Sequence, residues 1–332
     1  MSLARYHAAA IQPDKKHPRT RAEISVEWML QQCDHVVAGY EPFFPVKLIV
    51  FPEFCISGPV YFTAEELAEK LAIPAENQHV EALAQKAHAL GVWIVSGSFL
   101  ECDARWPDAV FNTVMLLGPD GARMRYRKVH PWIPWEVCAS PHDLDGYTDP
   151  LFPVANTEIG RIGIATCYDW LFPESTRELA LNGAEVLVRI SAYMDPWGAS
   201  APMDWWTVVN RCRAIENMAC VVACNQGASL ANYPPFSWPG GSMIVDFDGR
   251  IMAQADPGPG EKIVVGPVDI AALQDARSRR RGHDMLTHRR AEAYTAANKP
   301  AFPGARTAQE RTIAGLEKLI AAAKRARGSE QR

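Results

Sequence analysis

The sequence predicts one large α/β domain, and three observations support that fold class. The chain has 332 residues, of which 48% are hydrophobic and 22% charged, so it can bury a sizeable core. Short apolar runs rich in β-branched residues alternate with segments whose apolar residues recur at helical spacing. No linker rich in Pro, Gly or Ser interrupts this alternation between residues 1 and 270. Helices layered against β-sheet are therefore expected.

The predicted strands are short runs bounded by turn residues. They are His7–Gln12, Leu48–Pro52, Val92–Leu100, Val110–Leu117, Ile162–Thr166, Val186–Ile190, Cys220–Cys224, Gly241–Val245 and Ile263–Asp269. The Asp-Gly pairs in GPDGARMRYRK and FDGR predict hairpin turns, because Gly readily adopts the positive φ that such turns require.

Helical patterns fall between several of these strands. Gln78–Leu90 places its apolar residues on one face, and Gly91 is a suitable C-terminal stop. The predicted helices are Ala22–Ala38, Gln78–Leu90, Glu174–Asn182 and Pro202–Asn217, and the last part of the chain predicts a further helix that frays at its end.

Charge is unevenly distributed along the chain. The net charge is −4, but residues 270–332 carry 14 Lys and Arg against 6 Asp and Glu. We expect this basic segment to lie on the acidic body of its own or a neighbouring subunit. Its run RSRRRGHDMLTHRR lacks the interleaved aromatic side chains that stack on bases, so nucleic acid is not a predicted partner.

Other partners and cofactors find little support in the sequence. It has no apolar stretch long enough for a membrane span and no signal-peptide pattern, so a cytoplasmic location without membrane contact is expected. The eight cysteines form no CxxC pair and should be reduced there. HPWIPWEVCASPH fits no standard zinc spacing, and no nucleotide-binding glycine motif follows a strand. We therefore predict no metal and no cofactor.

Cys167 is the cysteine whose context favours chemistry. It follows a predicted buried strand, and Pro173 is suited to the first position of the next helix. A sharp turn there would lift the sulfur to the sheet edge and free backbone N–H groups for an oxyanion. The alternative is a small core residue, which describes most buried cysteines. A reactive thiol also needs a base and a cation at neutral pH. Glu53 follows a strand, and Lys128 precedes Glu136 in one loop.

Three segments carry a family resemblance. FPEFCISG, YRKVHPWIPWE and CYDWLFPE resemble the signature segments of the nitrilase superfamily of carbon–nitrogen hydrolases, in the family's order. Glu53 and Lys128 are 75 residues apart, and Lys128 and Cys167 are 39 apart. LVRISAYM and the basic segment are most similar to the aliphatic amidase and formamidase branch. Two features differ from that branch, namely Tyr168, directly after Cys167, and the 228–241 loop. They leave the size of the substrate open.

The resemblance implies a four-layer α-β-β-α sandwich with two mixed β-sheets. It implies a catalytic domain over residues 1–270 and a basic C-terminal extension, residues 271–332, that packs on a partner subunit. A homodimer or larger homo-oligomer is accordingly expected.

The resemblance also implies an activity, the hydrolysis of a small amide to an acid and ammonia through a cysteine thioester, without a metal or cofactor. Cys167 would be the nucleophile and Glu53 the general base. Lys128 and the backbone N–H of Tyr168 would stabilise the oxyanion, and Glu136 would orient Lys128. Without the joint match, Glu53 and Lys128 would be interpreted as members of solvated ion pairs.

Two other functions stay open at this level. The chain could act on an N-carbamoyl compound or a nitrile, although nitrilases usually have Trp where Tyr168 stands. It could also be a non-catalytic scaffold, although Glu53, Lys128 and Cys167 are all retained.

The motifs define the residues that contact the substrate less well than they define the catalytic residues. Trp135, Tyr193 and Trp197 are predicted neighbours of the pocket. Arg189, at the end of a predicted strand, could receive a substrate carboxylate or belong to a structural ion pair.

Overall fold

The computed structural model describes residues 4–14, 21–58, 63–194, 204–231, 238–256, 258–296 and 299–330. Its strands are β1 (Arg5–Gln12), β2 (Val46–Phe51), β3 (Trp93–Cys102), β4 (Val110–Leu117), β5 (Arg123–Arg127), β6 (Val154–Thr157), β7 (Gly160–Thr166), β8 (Val186–Ser191), β9 (Cys220–Asn225), β10 (Met243–Val245), β11 (Ile251–Gln254) and β12 (Lys262–Asp269). They form two six-stranded sheets, in the orders β12-β1-β2-β3-β4-β5 and β11-β10-β9-β8-β7-β6.

Both sheets are mixed and share one plan. The neighbouring strands β1, β2 and β3 are parallel in the first sheet, as are β7, β8 and β9 in the second. The remaining pairs in each sheet are antiparallel. Parallel strands covered on both faces explain the nearly continuous apolar runs in the sequence.

Helices cover the outer faces of the sheets. They are α1 (Ala22–Tyr40), α2 (Ala64–Lys70), α3 (Gln78–Leu90), α4 (Pro173–Leu181), α5 (Trp205–Asn217), α6 (Ile270–Arg279) and α7 (Ile313–Glu330). The side chains of β2 point alternately towards the helices and towards the second sheet. Ile49 packs with Met29 of α1 and Leu83 of α3, whereas Leu48 packs in the core shared with Ile164 of the second sheet. The predicted α-β-β-α sandwich is confirmed.

The nine predicted strands and the predicted helices all appear, and so do both hairpins. Gly118 N–H donates to the Ala122 carbonyl at 2.8 Å, and Asp246 N–H donates to the Arg250 carbonyl at 2.9 Å. Gly121 has the positive φ, 86°, that the first turn requires.

Some elements were not predicted, and local chemistry explains them. β5 is rich in arginine and β6 is short and partly exposed, so neither has strand-like apolar alternation. β11 also has largely exposed side chains. The start of α2 did carry a signal, because the Thr63 side chain accepts from Glu66 N–H and the Glu66 carboxylate accepts from Thr63 N–H in a capping box.

The C-terminal extension has two distinct parts. Residues 281–296 are mostly exposed. Further on, Leu316 of α7 packs against Leu67 and Leu100 of the body, and Arg311 donates to the Asp108 carbonyl at 2.8 Å. The extension therefore contacts its own chain in part, and its packing on a partner subunit stays a prediction.

Among the described residues, no helix combines the length and apolarity needed to cross a bilayer. The cytoplasmic location stays a prediction.

Candidate active site

Side chains from both sheets converge on one small chamber of about 80 Å³. Glu53 follows β2, Lys128 follows β5, and Cys167 follows β7. These three line the chamber together with Glu136 from the loop after Lys128. The arrangement arises because β2 and β7 belong to facing sheets and end in the same region. Residues far apart in sequence thus share one pocket.

Cys167 sits in a sharp turn between β7 and α4. Its φ is +47°, in the left-handed region that non-glycine residues seldom adopt. Thr166 N–H donates to Asp169 Oδ2 at 2.9 Å, which closes the turn. The buried Asp169 also accepts from Tyr126 Oη at 2.6 Å and from His130 N–H at 2.8 Å. One carboxylate therefore ties the cysteine turn to the segment that carries Lys128.

Lys128 holds two carboxylates in the chamber. Its Nζ donates to Glu53 Oε1 at 2.8 Å and to Glu136 Oε2 at 2.6 Å. The Lys128 and Glu53 side chains are each 1% exposed, and Glu136 is 7% exposed. An ammonium in this position compensates carboxylates whose burial would otherwise be very costly.

Asn112 of β4 is a site residue that the sequence reasoning missed. Its Nδ2 donates to Glu53 Oε1 at 2.9 Å and to Glu136 Oε1 at 3.1 Å, so one amide group spans both carboxylates. Ala192 N–H donates to Glu53 Oε2 at 2.8 Å, and Trp132 N–H donates to Glu136. A signal was present, since an Asn inside a buried apolar strand needs hydrogen-bond partners.

Burial shifts the pKa values of the chamber's groups. It raises the pKa of Glu53, with Glu136 adding to the effect, and Lys128 only partly opposes this. Burial alone would lower the pKa of Lys128, but the carboxylates of Glu136 and Glu53 outweigh it and raise that pKa well above its usual value. Burial and the Glu53 charge raise the pKa of the Cys167 thiol. The raised pKa values of Cys167 and Lys128 favour a neutral thiol and a protonated ammonium.

A second chamber of about 310 Å³ adjoins the first at Cys167. Tyr168 and Tyr193 line it. Trp135 lines the small chamber, stacks on Trp132 with ring centroids 4.6 Å apart, and is 51% exposed. Trp197 lies outside the described residues.

Arg189 does not occupy the position expected of a substrate contact. It is fully buried in β8 and is not among the residues that line either chamber. Its Nη1 donates to Asn210 Oδ1 at 2.9 Å, and its guanidinium lies 4.2 Å from the ring centroid of Trp206. Its role as a receptor for a substrate carboxylate stays a prediction. The alternative was a structural ion pair, but among the described residues no carboxylate forms an ion pair with Arg189.

Within the described part of the chain, no group of three or more His, Cys, Asp or Glu residues is arranged to hold a metal ion. No disulfide bond joins the cysteines of the described residues.

Comparison with known proteins identifies the family. A sequence model described as carbon-nitrogen hydrolase matches residues 7–278. This match and the fold define a hydrolase that acts on carbon–nitrogen bonds. The chain belongs to the carbon–nitrogen hydrolase family.

Relatives of two kinds match at similar identity. The deaminated glutathione amidase of Mus musculus is 32% identical over 251 residues, covering 72% of this chain and 73% of the relative. The formamidase of Bradyrhizobium sp. is 31% identical over 238 residues, covering 70% of this chain and 63% of the relative. The crystal structure of Saccharomyces cerevisiae Nit3, of branch 10 of the superfamily, superposes with a TM-score of 0.69 at 23% identity, over 83% of this chain and 94% of that one. Amide hydrolysis is the activity these relatives support in general terms.

Proposed function

We propose that the protein is a thiol amidohydrolase that converts a small neutral amide to a carboxylic acid and ammonia through a thioester on Cys167. The observation that carries this proposal is the shared chamber, in which a thiol, two carboxylates and an ammonium are buried together. Clusters of buried titratable groups with shifted pKa values are typical of catalytic sites.

Acylation follows from the chemistry of these groups. Glu53 accepts the thiol proton as the Cys167 sulfur forms a bond to the amide carbon. The resulting oxyanion is stabilised by the Lys128 ammonium and the backbone N–H of Tyr168. When the tetrahedral intermediate collapses, the C–N bond breaks, Glu53 returns the proton to nitrogen, and ammonia leaves.

Deacylation reuses the same base. Glu53 takes a proton from water, the hydroxide adds to the thioester carbon, and the C–S bond breaks to release the acid and regenerate the thiol. Glu136 holds Lys128 in place through its 2.6 Å hydrogen bond. The raised pKa of Glu53 suits both steps, because a base transfers protons most effectively when its pKa is closer to that of its partner.

Ammonia release from a panel of primary amides, ureides and nitriles tests the proposed activity. We expect turnover of primary amides, with ureides and nitriles slower by at least roughly tenfold in kcat/KM, a modest discrimination for one pocket. Preferred hydrolysis of a ureide or a nitrile would support the N-carbamoyl or nitrilase alternative. No turnover of any compound would favour the scaffold.

Asn112→Ala is expected to move the acidic limb of the kcat/KM profile to higher pH by about one unit. Asn112 donates to both carboxylates and so favours their ionised forms. Without it the pKa of Glu53 rises further, and less ionised base is present at a given acidic pH. Activity should recover as the pH rises above the shifted limb, where the carboxylate is ionised again.

The exposed Asn156 supplies a matched control, since Asn156→Ala removes the same group far from the chamber. A uniform loss of activity in Asn112→Ala, with the acidic limb unmoved, would assign Asn112 a purely structural role.

We also infer a homodimer or larger homo-oligomer. The outer surfaces of α4 and α5 expose apolar side chains: Leu181, Val208 (58% exposed) and Ile215 (43% exposed). Exposed apolar residues on two helices that pack together favour an interface. Sedimentation equilibrium decides this, and a monomer at micromolar concentration would contradict it.

A further inference from the structure

Two chambers of different character meet at the thiol. The small chamber, about 80 Å³, is lined by Glu53, Lys128 and Glu136. The large chamber, about 310 Å³, is lined by Cys167 and by aromatic and aliphatic residues. They share Trp132, Cys167, Ala192 and Met194 as a common wall. An amide carbon bonded to the Cys167 sulfur would therefore have a charged space on one side and an apolar space on the other.

The small chamber suits the reacting part of the amide. Its lining includes the ammonium that stabilises an oxyanion and the carboxylate that moves protons. Its volume of about 80 Å³ leaves room for about two to three water molecules, and so for the amide group itself, since one water occupies roughly 30 Å³ in the liquid. The rest of the substrate must then extend elsewhere.

The large chamber suits an apolar group. Its described lining besides the shared wall consists of Tyr168, Leu171, Tyr193 and Trp205, and none of these side chains is charged at neutral pH. Its volume falls at the lower end of the roughly 300–1,000 Å³ typical of small-molecule sites. A hydrogen atom or a methyl group, as in formamide or acetamide, would leave most of it unfilled.

No charged side chain lines the large chamber among the described residues. The guanidinium of Arg189 is fully buried, 4.2 Å from the ring centroid of Trp206 and 5.2 Å from that of Tyr193. Lys128 is already hydrogen-bonded to two carboxylates. Placing a carboxylate in the large chamber would cost desolvation, and no side chain in the described lining would supply an ion pair in return.

We propose that the large chamber is the acyl pocket and that the substrate is a primary amide with an uncharged, apolar acyl group of arylalkyl size. This inference rests on the proposed amidohydrolase activity and deepens it.

A graded series of primary amides tests the pocket. We expect kcat/KM to rise from formamide and acetamide through hexanamide to 3-phenylpropionamide, with at least roughly 100-fold between acetamide and the last, since each buried methylene adds to transition-state binding. Glutaramate and 5-methylhexanamide form a matched pair of nearly equal shape. The neutral member should be preferred by at least roughly 100-fold, because only the anion loses its hydration.

Leu171→Trp probes the chamber wall directly. Leu171 is partly buried at the end of the turn that starts at Cys167. The larger side chain should lower the ratio of kcat/KM for 3-phenylpropionamide to that for acetamide by at least roughly tenfold. Ile251→Trp, at an exposed position on β11, is the control and should leave the ratio unchanged. If the tryptophan variant does not fold, Leu171→Phe gives the same comparison with a smaller intrusion.

The outcomes separate this inference from the activity on which it rests. Three results would each contradict the acyl-pocket proposal while amidohydrolase activity stands. They are a preference for formamide or acetamide, a preference for glutaramate, and an unchanged kcat/KM ratio in the folded Leu171 variant. If no amide is hydrolysed at all, the proposed function itself fails and the acyl pocket with it.

Discussion

Cys167→Ala is expected to lower amide hydrolysis by at least about 10⁴-fold, because covalent catalysis loses its nucleophile and the neighbouring groups lose the atom on which they act. The same change should move the melting temperature by only a few degrees. It removes one buried sulfur atom. It also removes a thiol whose pKa is raised by burial. Ammonia release and thermal unfolding of the purified variant measure both effects.

Cys33→Ala provides the matched control. Cys33 is also fully buried, in α1, and packs in the core between that helix and the first sheet. It should lose a similar amount of stability and no activity. Hydrolysis that survives in Cys167→Ala at more than about one part in 10² would show that another group is the nucleophile, because losing a covalent nucleophile costs far more than that.

Lys128→Met is expected to have the second large effect, on both activity and stability. The oxyanion loses its ammonium, which should cost at least about 10²–10³-fold in kcat. Glu53 and Glu136 lose the cation that both contact, and breaking a buried ion pair on one side costs about 3–5 kcal/mol. Methionine keeps a similar length, so packing changes little.

The stability loss in Lys128→Met should depend on pH with a definite sign. Without the ammonium, the folded-state pKa of Glu53 rises further above its unfolded value. The folded state is then favoured when the carboxyl is protonated, so the variant is closest to the wild type at acidic pH. It falls behind as pH rises through the raised pKa.

Urea unfolding at pH 5 and pH 8 measures this difference. Lys47→Met serves as the control, because Lys47 Nζ donates to the Gly91 carbonyl and contacts no carboxylate among the described residues. An equal loss of stability at both pH values would mean that the cost in Lys128→Met comes from packing and not from uncompensated carboxylates.

The sequence predicted the parts of this molecule that local patterns determine. The apolar runs of β2, β7 and β8 indicate strands buried on both faces, and Pro173 marks the start of α4 just after the cysteine turn. The fold class followed from this alternation, and the four-layer architecture from the family resemblance. Glu53, Lys128 and Cys167 could be named as candidates because each lies in a segment that resembles a family signature, and Glu53 and Cys167 also follow predicted strands.

Features that depend on tertiary packing could not be predicted in the same way. Asn112 lies in a different segment from the motifs, and only the folded chain brings its amide between Glu53 and Glu136. Arg189 was predicted to contact the substrate or to belong to an ion pair, and only the folded chain shows it fully buried beside the rings of Trp206 and Tyr193. The division into a charged and an apolar chamber likewise arises from side chains of both sheets.

The central claim is that Cys167 carries the acyl group during turnover, and acid-quenched intact mass spectrometry tests it most directly. The wild type and the Glu53→Gln and Glu136→Gln variants are quenched during reaction with an amide that the wild type hydrolyses. We predict a species heavier by the acyl group, mapped to the peptide containing Cys167 and absent in Cys167→Ala. Steady turnover by the wild type, with no acyl adduct on Cys167 in any of the three proteins, would contradict the mechanism.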